Sequence, residues 1–539
     1  MKLAGPALLL VACGIAIGCT RLPYAYIHTP GWLLICDGIG ATLVSVIVVA
    51  FARTARVAPL PARWLAPATF LATLIVQFLS TAWWPNAGDE YGYRFLADTL
   101  LHFRLYNPPA PVPDLFGFNW IFTIDGKRFS QYPPGFSALL VPFLALGVPF
   151  LLNPLLACAL AWLFLDTLAA LGIARAAAAS VTAMLVLSPF VLFNGASLFP
   201  HLLTAIAVIA IVRLHLAWQT SPQPRQKLAT GALFGLLLLT RYEIFAITAT
   251  LYAASRIIAL RRRALRELTF VAAGGLPLAA CFMAYNAIIT GKPLRTPFAW
   301  ASPGGGFAFH AVGDNGLNTP FAALARTAQW TGELIDYTSA ALLLLWSVAL
   351  FAKIRARRLQ YFDLIFPACV CFFILFASYG GHRFGPRYWF FAWPTAMLTI
   401  ATGLTDSSEW LRLPRLHLPT LASLHLPLYA GTALAIAYFN NQYVAARRAV
   451  YAATPPKTPS IILIPTRMLP LSRFESSPTR AGSADFARND LDFTAPILYG
   501  RADDGGTRQP LYISRACTLG RYVYVWQSSG TLMEVACGR

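Results

Sequence analysis

Apolar stretches close to the ~20 residues an α-helix needs to cross a bilayer recur along this chain from residue 3 to residue 439. Hydrocarbon offers no partner to backbone N–H and C=O groups, so segments of this kind are helices that satisfy their own backbone. A soluble enzyme, a secreted disulfide scaffold and a disordered chain are thereby excluded. The charged fraction agrees, at 12% against the roughly 25% of a soluble domain. A formal net charge of +20 would suggest nucleic acid in a soluble protein. Here the basic residues gather in short connections between apolar segments, as the positive-inside rule requires of cytoplasmic loops, and no nucleic-acid partner is expected.

Arg53, Arg56 and Arg63 follow the first two apolar segments, 3–19 and 31–51, which places that connection and the N-terminus in the cytoplasm. A third span at 64–84 then delivers the chain at Pro85 to the outer side. Further spans are expected at 151–171, 177–197 and 200–218, ending near Arg225 and Lys227. The 33 residues between Lys227 and Arg261 are interrupted by Arg241, Tyr242 and Glu243 and are basic at both ends. They read as two short spans with Arg241 and Glu243 at an outer tip. Spans at 268–288, 335–352, 361–379, 389–404 and 424–439 complete a set of thirteen, with Lys353, Arg355, Arg357 and Arg358 inside and the tail outside. Lys2 and the run Ala16-Ile17-Gly18-Cys19 also give the first segment the pattern of a signal sequence, whose removal would leave twelve spans and the same tail. Asp37 is an acid inside the second span but near its outer end, where solvation or a neighbouring helix dipole accounts for it.

From residue 452 the chain changes character. Pro455, Pro456 and Pro459 break the helical pattern, and short β-like runs such as IILIP, PILYG and YVYVW alternate with turn signals, as in a small extramembrane domain. Its ten basic and seven acidic residues make no polybasic arm. Cys517 and Cys537 both fall here, in an oxidising compartment if the host is bacterial, where they can pair.

After the third span the chain reads WWPNAGDEYGYRF, setting Asp89 and Glu90 a few residues from the outer membrane surface. A carboxylate beside a low-dielectric surface can serve as general base, its pKa raised by desolvation. The same pair also fits a solvated helix N-cap with an acid in the first turn. Tyr132-Pro133-Pro134-Gly135 then introduces an apolar stretch of about 14 residues, short for a span. A re-entrant or surface helix suits it better. Arg241 with Glu243, and the loop containing His382, Arg383, Arg387 and Tyr388, concentrate basic groups at outer span ends, against the positive-inside tendency. Such guanidinium forks suit phosphate oxygens; interfacial snorkelling is the ordinary alternative. His201 is most simply an interfacial histidine, and Gly304-Gly305-Gly306 a flexible outer segment. No spacing of a zinc site, Walker A loop or GxSxG elbow occurs.

The order of these features resembles the GT-C superfamily of membrane glycosyltransferases, especially the branch with protein O-mannosyltransferases and lipid A aminoarabinose transferases. Asp89-Glu90 directly after a span, Tyr132-Pro133-Pro134-Gly135 before a juxtamembrane helix, and Gly385-Pro386-Arg387-Tyr388 late in the chain carry the likeness, over about residues 64–405. It implies an all-α polytopic fold of about thirteen transmembrane helices with outer juxtamembrane helices and a small C-terminal α/β or β-rich domain. Residues 1–63 would then be two additional helices and a cytoplasmic loop, 64–440 the catalytic domain with an outer loop at 85–135, and 452–539 the periplasmic or extracellular domain.

The resemblance further implies a hexosyl- or pentosyltransferase of the bacterial inner membrane, taking a sugar from a polyprenyl-phosphate donor to a glycan, lipid or protein hydroxyl with inversion. Asp89 would be the base and Glu90 an aid to the acceptor. Arg383 and Arg387, with Arg241, His382, Tyr388 and Tyr132, would hold donor and phosphate, and Tyr93, His201 and Glu243 are further candidates. No metal ligands are assigned and no cofactor is called for, a divalent cation being left open. A transporter or lipid flippase, and a ligase using an oligosaccharide donor, are the competing readings.

Overall fold

Eighteen α-helices, four short 3-10 helices and two small sheets are seen among the described residues of the computed structural model. Those residues are 4–21, 57–58, 60–117, 120–221, 223–301, 309, 318–376, 384–407, 417–465, 489–502, 509–527 and 529–537, with positions 40, 43–44, 46–50 and 52 between the first two blocks. Asp37 and most of the second expected span, Arg53, Arg56, Gly304 to Gly306, His382 and Arg383 lie outside them.

The chain opens with α1 (Ala4–Arg21), α2 (Leu65–Thr81) and α3 (Gly88–Leu101), followed by the hairpin β1 (Ile121–Ile124) and β2 (Lys127–Ser130) and by α4 (Pro134–Ala145). Next come α5 (Leu152–Ala170), α6 (Arg175–Val186), α7 (Pro189–Gly195), α8 (His201–Thr220), α9 (Pro224–Thr240), α10 (Tyr242–Leu260) and α11 (Arg263–Thr290). The helical part closes with α12 (Pro297–Ala301), α13 (Pro320–Tyr337), α14 (Ala340–Arg355), α15 (Ile365–Leu375), α16 (Trp393–Ser407) and α17 (Leu418–Ala452).

Six helices among the described residues are long and apolar enough to cross a membrane, and two bent pairs bring the number to eight. The expected span 177–197 is one of these pairs, α6 and α7 meeting at 57° where Ser188 and Pro189 interrupt the ladder. The other pair is α13 and α14, at 111°; α13, not foreseen in the sequence, precedes the expected span. The expected break after Lys227 falls at Arg241, whose backbone is extended (φ −150°, ψ 90°) between α9 and α10. The expected span 424–439 belongs to a longer helix of 35 residues. Asn440 and Asn441 end the apolar run but not the helix, since their side chains find Asn86 and the Leu79 carbonyl.

Close helix contacts hold the bundle. A side chain at Gly231 of α9 would run into the Val271 carbonyl of α11, so glycine is what allows these two backbones to touch. On the side assigned to the cytoplasm, Lys353 is no loop cation. Its Nζ lies 2.6 Å from Asp363 Oδ2, both side chains are buried, and Thr399 donates to Asp363 Oδ1 at 2.9 Å. That pair ties α14 to the turn before α15, and Thr399 joins it to α16.

The tail forms a four-stranded sheet, order β4-β3-β5-β6, from β3 (Ser460–Ile464), β4 (Ile497–Arg501), β5 (Tyr522–Trp526) and β6 (Leu532–Val535), with α18 (Gln509–Cys517) between β4 and β5. The first three strands of that order are parallel and β6 is antiparallel. β3 is buried at every position, which its unbroken apolar run permits only in a central strand. Cys517 and Cys537 form a disulfide, Cα atoms 5.5 Å apart. One face of this sheet packs on Leu115 and Phe116 of the loop before β1. Arg501 N–H donates to the Leu115 carbonyl at 2.9 Å, and ion pairs Arg104–Asp492 (2.7 Å) and Arg515–Asp114 flank the contact.

Candidate active site

The first turn of α3 carries Asp89 and Glu90, where carboxylates meet the positive end of the helix dipole. They do different things. Glu90 is 1% exposed and bonds back to the backbone before its own helix, its Oε1 accepting from Asn86 and Ala87 N–H at 2.9 Å each. Its Oε2 accepts from Leu198 N–H at 2.8 Å, fastening the α7–α8 turn to α3. With both oxygens accepting from backbone amides, this carboxylate ties the start of α3 to the turn before α8.

Asp89 points into side-chain chemistry instead. Tyr132 donates its hydroxyl to Asp89 Oδ1 at 2.5 Å, and Arg387 Nη2 donates to Oδ2 at 3.1 Å. Tyr132 comes from the turn before α4, whose Pro133 and Pro134 preset its first turn. Gly92 makes the approach possible, because a Cβ there would sit 2.7 Å from the Tyr132 ring. Tyr93 stacks on the same ring, centroids 4.1 Å apart. Ser130 and Ser137 donate to the Gly92 and Tyr93 carbonyls, lacing α3 to β2 and α4.

Arg387 reaches Asp89 from the far end of the chain. The turn before it, Phe384-Gly385-Pro386, has positive φ at Phe384 (61°) and Gly385 (85°), and Asn194 of α7 donates to the Phe384 carbonyl at 3.1 Å. The guanidinium lies 4.4 Å from the Phe199 ring centroid. It is buried, and its Nε and Nη1 meet no hydrogen-bond acceptor among the described residues.

Burial by itself would raise the Asp89 carboxyl, but the Arg387 charge and the hydrogen bonds from Tyr132 and Arg387 outweigh it and hold the pKa below its ordinary value. The sequence expectation of a desolvated, raised carboxylate is therefore reversed, the cause being a cation that lies 298 residues away in sequence. Burial and the Asp89 charge raise the Tyr132 phenol, keeping it a donor.

The second basic candidate is already neutralised. Arg241 makes an ion pair with Glu243 and lies 5.0 Å over the Tyr388 ring. His201 is buried between the rings of Phe199 (5.4 Å) and Phe390 (6.3 Å), beside the Arg387 platform. Among the described residues no three His, Cys, Asp or Glu side chains gather as a metal site would need. Sequence reasoning missed Asn194 and Gly92, although an asparagine inside an apolar span is a usable signal.

No protein-family model and no curated protein matches this chain. Among solved structures it is similar to ArnT from Cupriavidus metallidurans in the apo state, at TM-score 0.53 and 14% identity, over 85% of this chain and 92% of that one. Against the same protein bound to undecaprenyl phosphate the TM-score is 0.53 and the identity 12%, over 86% and 93%. What is shared with these two structures is the fold. An oligosaccharyltransferase of Archaeoglobus fulgidus, in complex with Zn and sulfate, is matched more weakly, at TM-score 0.48 and 12% identity over 86% of this chain and 67% of that one.

Proposed function

We propose that this protein is a membrane glycosyltransferase that moves a sugar from a polyprenyl-phosphate donor to an acceptor hydroxyl on the outer face of a bacterial inner membrane. The reading rests above all on one observation, the buried Arg387 that gives Nη2 to Asp89 and retains two donors without an acceptor among the described residues. A guanidinium so arranged suits a phosphate, and places it next to a carboxylate. The ArnT structure bound to undecaprenyl phosphate, which shares the fold, supports the class of donor.

In this mechanism Asp89 takes the proton of the acceptor hydroxyl as its oxygen attacks the anomeric carbon. The bond from that carbon to the phosphate oxygen breaks on the opposite side, and polyprenyl phosphate leaves with added negative charge. One displacement inverts the centre. Arg387 stabilises the departing charge, most strongly where water is scarce. Tyr132 orients the base, Glu90 fixes the helix that carries it, and His201, Tyr93 and Tyr388 form walls. Residues 64–440 would be the catalytic domain within thirteen spans, with the N-terminus cytoplasmic and residues 452–539 outside.

The test compares wild type with Asp89→Asn, purified in detergent, for release or transfer of sugar from a panel of radiolabelled polyprenyl-phosphate sugars. Removing a general base is expected to cost about a hundredfold or more in a folded variant. Equal turnover removes Asp89 from the mechanism. Failure of folded wild type to bind any donor overturns the transferase.

A further inference from the structure

A cavity of about 30 Å³ lies where α3, the loop before β1, the hairpin and the tail domain meet. Phe95, Phe116, Ile121, Arg128, Asn489 and Phe493 are among its walls. Its one cationic wall is unusual. Arg128 is 8% exposed, its Nη2 donates to the Leu491 carbonyl, and its guanidinium lies 4.5 Å from the Phe493 ring centroid and 5.4 Å from that of Phe95. Its Nε is buried with no acceptor among the described residues, and no described carboxylate is within ion-pair distance. The two acids that influence it most are engaged elsewhere. Asp492 pairs with Arg104 at 2.7 Å, and Asp490 accepts from Thr494 and Ala495. Burial accordingly brings the Arg128 guanidinium down to about 10. An arginine set against two phenylalanine rings with no described carboxylate at ion-pair distance is costly to the fold, which gives it the mark of a group kept for a ligand.

We propose that this cavity is a binding subsite for the carboxylate of an acidic sugar, with Arg128 as its anchor. The space holds two or three water-sized groups, enough for the two oxygens of a planar carboxylate, while the sugar ring stays at the mouth. The aromatic walls supply a desolvated surround in which one charge-assisted hydrogen bond counts for more than in water. Position on the fold gives the site its relation to the chemistry. Phe95 follows Asp89 by six residues on the same helix, about 9 Å along the axis and roughly 120° round it. That spacing suits an acceptor glycan whose hydroxyl reaches Asp89 while a neighbouring acidic unit is held by Arg128. The word acceptor rests on the transferase reading; the binding of the carboxylate does not. Asn489 and Phe493 belong to the tail, so the subsite is complete only when that domain is docked.

The experiment is saturation-transfer NMR on the full-length protein in detergent, with no donor present, using methyl glucuronide and methyl glucoside as probes. Wild type is expected to give transfer to the glucuronide and at least tenfold less to the glucoside, with the same loss for glucuronide in Arg128→Gln. Because Arg128 also holds the Leu491 carbonyl, Ala110→Leu is measured beside it, filling the cavity from another wall with the arginine in place. Loss of binding in a folded Ala110→Leu supports the subsite even where Arg128→Gln fails to fold. Equal signals from the two probes, no signal from folded wild type, or unchanged binding in both variants overturns the proposal. Glucuronide binding through Arg128 by a protein that releases no sugar from any polyprenyl-phosphate donor would instead retain the subsite and remove the transferase.

Discussion

The Arg387 guanidinium and the Asp89 carboxylate meet at 3.1 Å, with their side chains 6% and 18% exposed. The ion pair joins α3 to the turn before α16. It also fixes the sign of a pH experiment. With Arg387 present the folded pKa of Asp89 lies below the unfolded one, so the pair's stabilisation is present above the unfolded value and lost as pH falls through the folded one. In Arg387→Gln, burial is the remaining dominant influence and raises the carboxyl, so stability falls as pH rises through the new value. Melting temperatures from roughly pH 2, below the ordinary carboxyl range, up to about pH 8, where raised buried carboxyls still titrate, should show this reversal, and adding Asp89→Asn should abolish it. A flat profile in the single variant would refute the assignment.

Glu90→Ala should act on stability before chemistry. It strips the N–H groups of Asn86, Ala87 and Leu198 of a buried acceptor, a loss of about 3 kcal/mol or more. Glu90→Gln keeps one carbonyl oxygen and should lose less. Thermal unfolding of the three proteins, with turnover normalised to folded protein, checks both points; a hundredfold fall in turnover with unchanged stability would make Glu90 catalytic.

Gly92→Ala places a methyl group 2.7 Å from the Tyr132 ring. Overpacking of this kind costs about 1–3 kcal/mol, and here it should also push the phenol off Asp89. Tyr132→Phe loses the hydrogen bond without the clash. Both should cut turnover about tenfold, the scale of one hydrogen bond to a charged group, while only Gly92→Ala lowers the melting temperature markedly.

Lys353→Met leaves Asp363 buried without its cation and should destabilise by about 3–5 kcal/mol. Lys353→Met combined with Asp363→Asn should recover most of that. Denaturant titration in mixed micelles decides it, and an additive double variant would contradict the pairing.

Much of the helical core was legible because its signal is local. Apolar length marks α2, α5, α8, α10 and α11, and the basic flanks of residues 228–260 disclose the break at Arg241. Pro133 and Pro134 announce α4 for the same reason. Partners are harder to read than segments. Asp89 and Glu90 are adjacent and both acidic, yet one lies beside a cation from residue 387 and the other beside three amides, and nothing in their immediate sequence separates them. The hairpin β1–β2 was readable from Asp125-Gly126, both at positive φ (50° and 72°), a pair favoured in two-residue hairpin turns, but its strands are only four residues each amid helical signals. Lys353 misled because a basic cluster suggests solvent for all its members, while tertiary packing turned one inward.

The helix α17 packs on α1 through Gly14 and Gly431, near its middle, and leads at its C-terminal end to the tail sheet. Its 35 residues make a rod of about 50 Å, well beyond the ~30 Å hydrocarbon layer. A tilt of roughly 10° about one end would move the other through about 9 Å, and Pro427, inside the helix, divides any such displacement between a tilt and a bend.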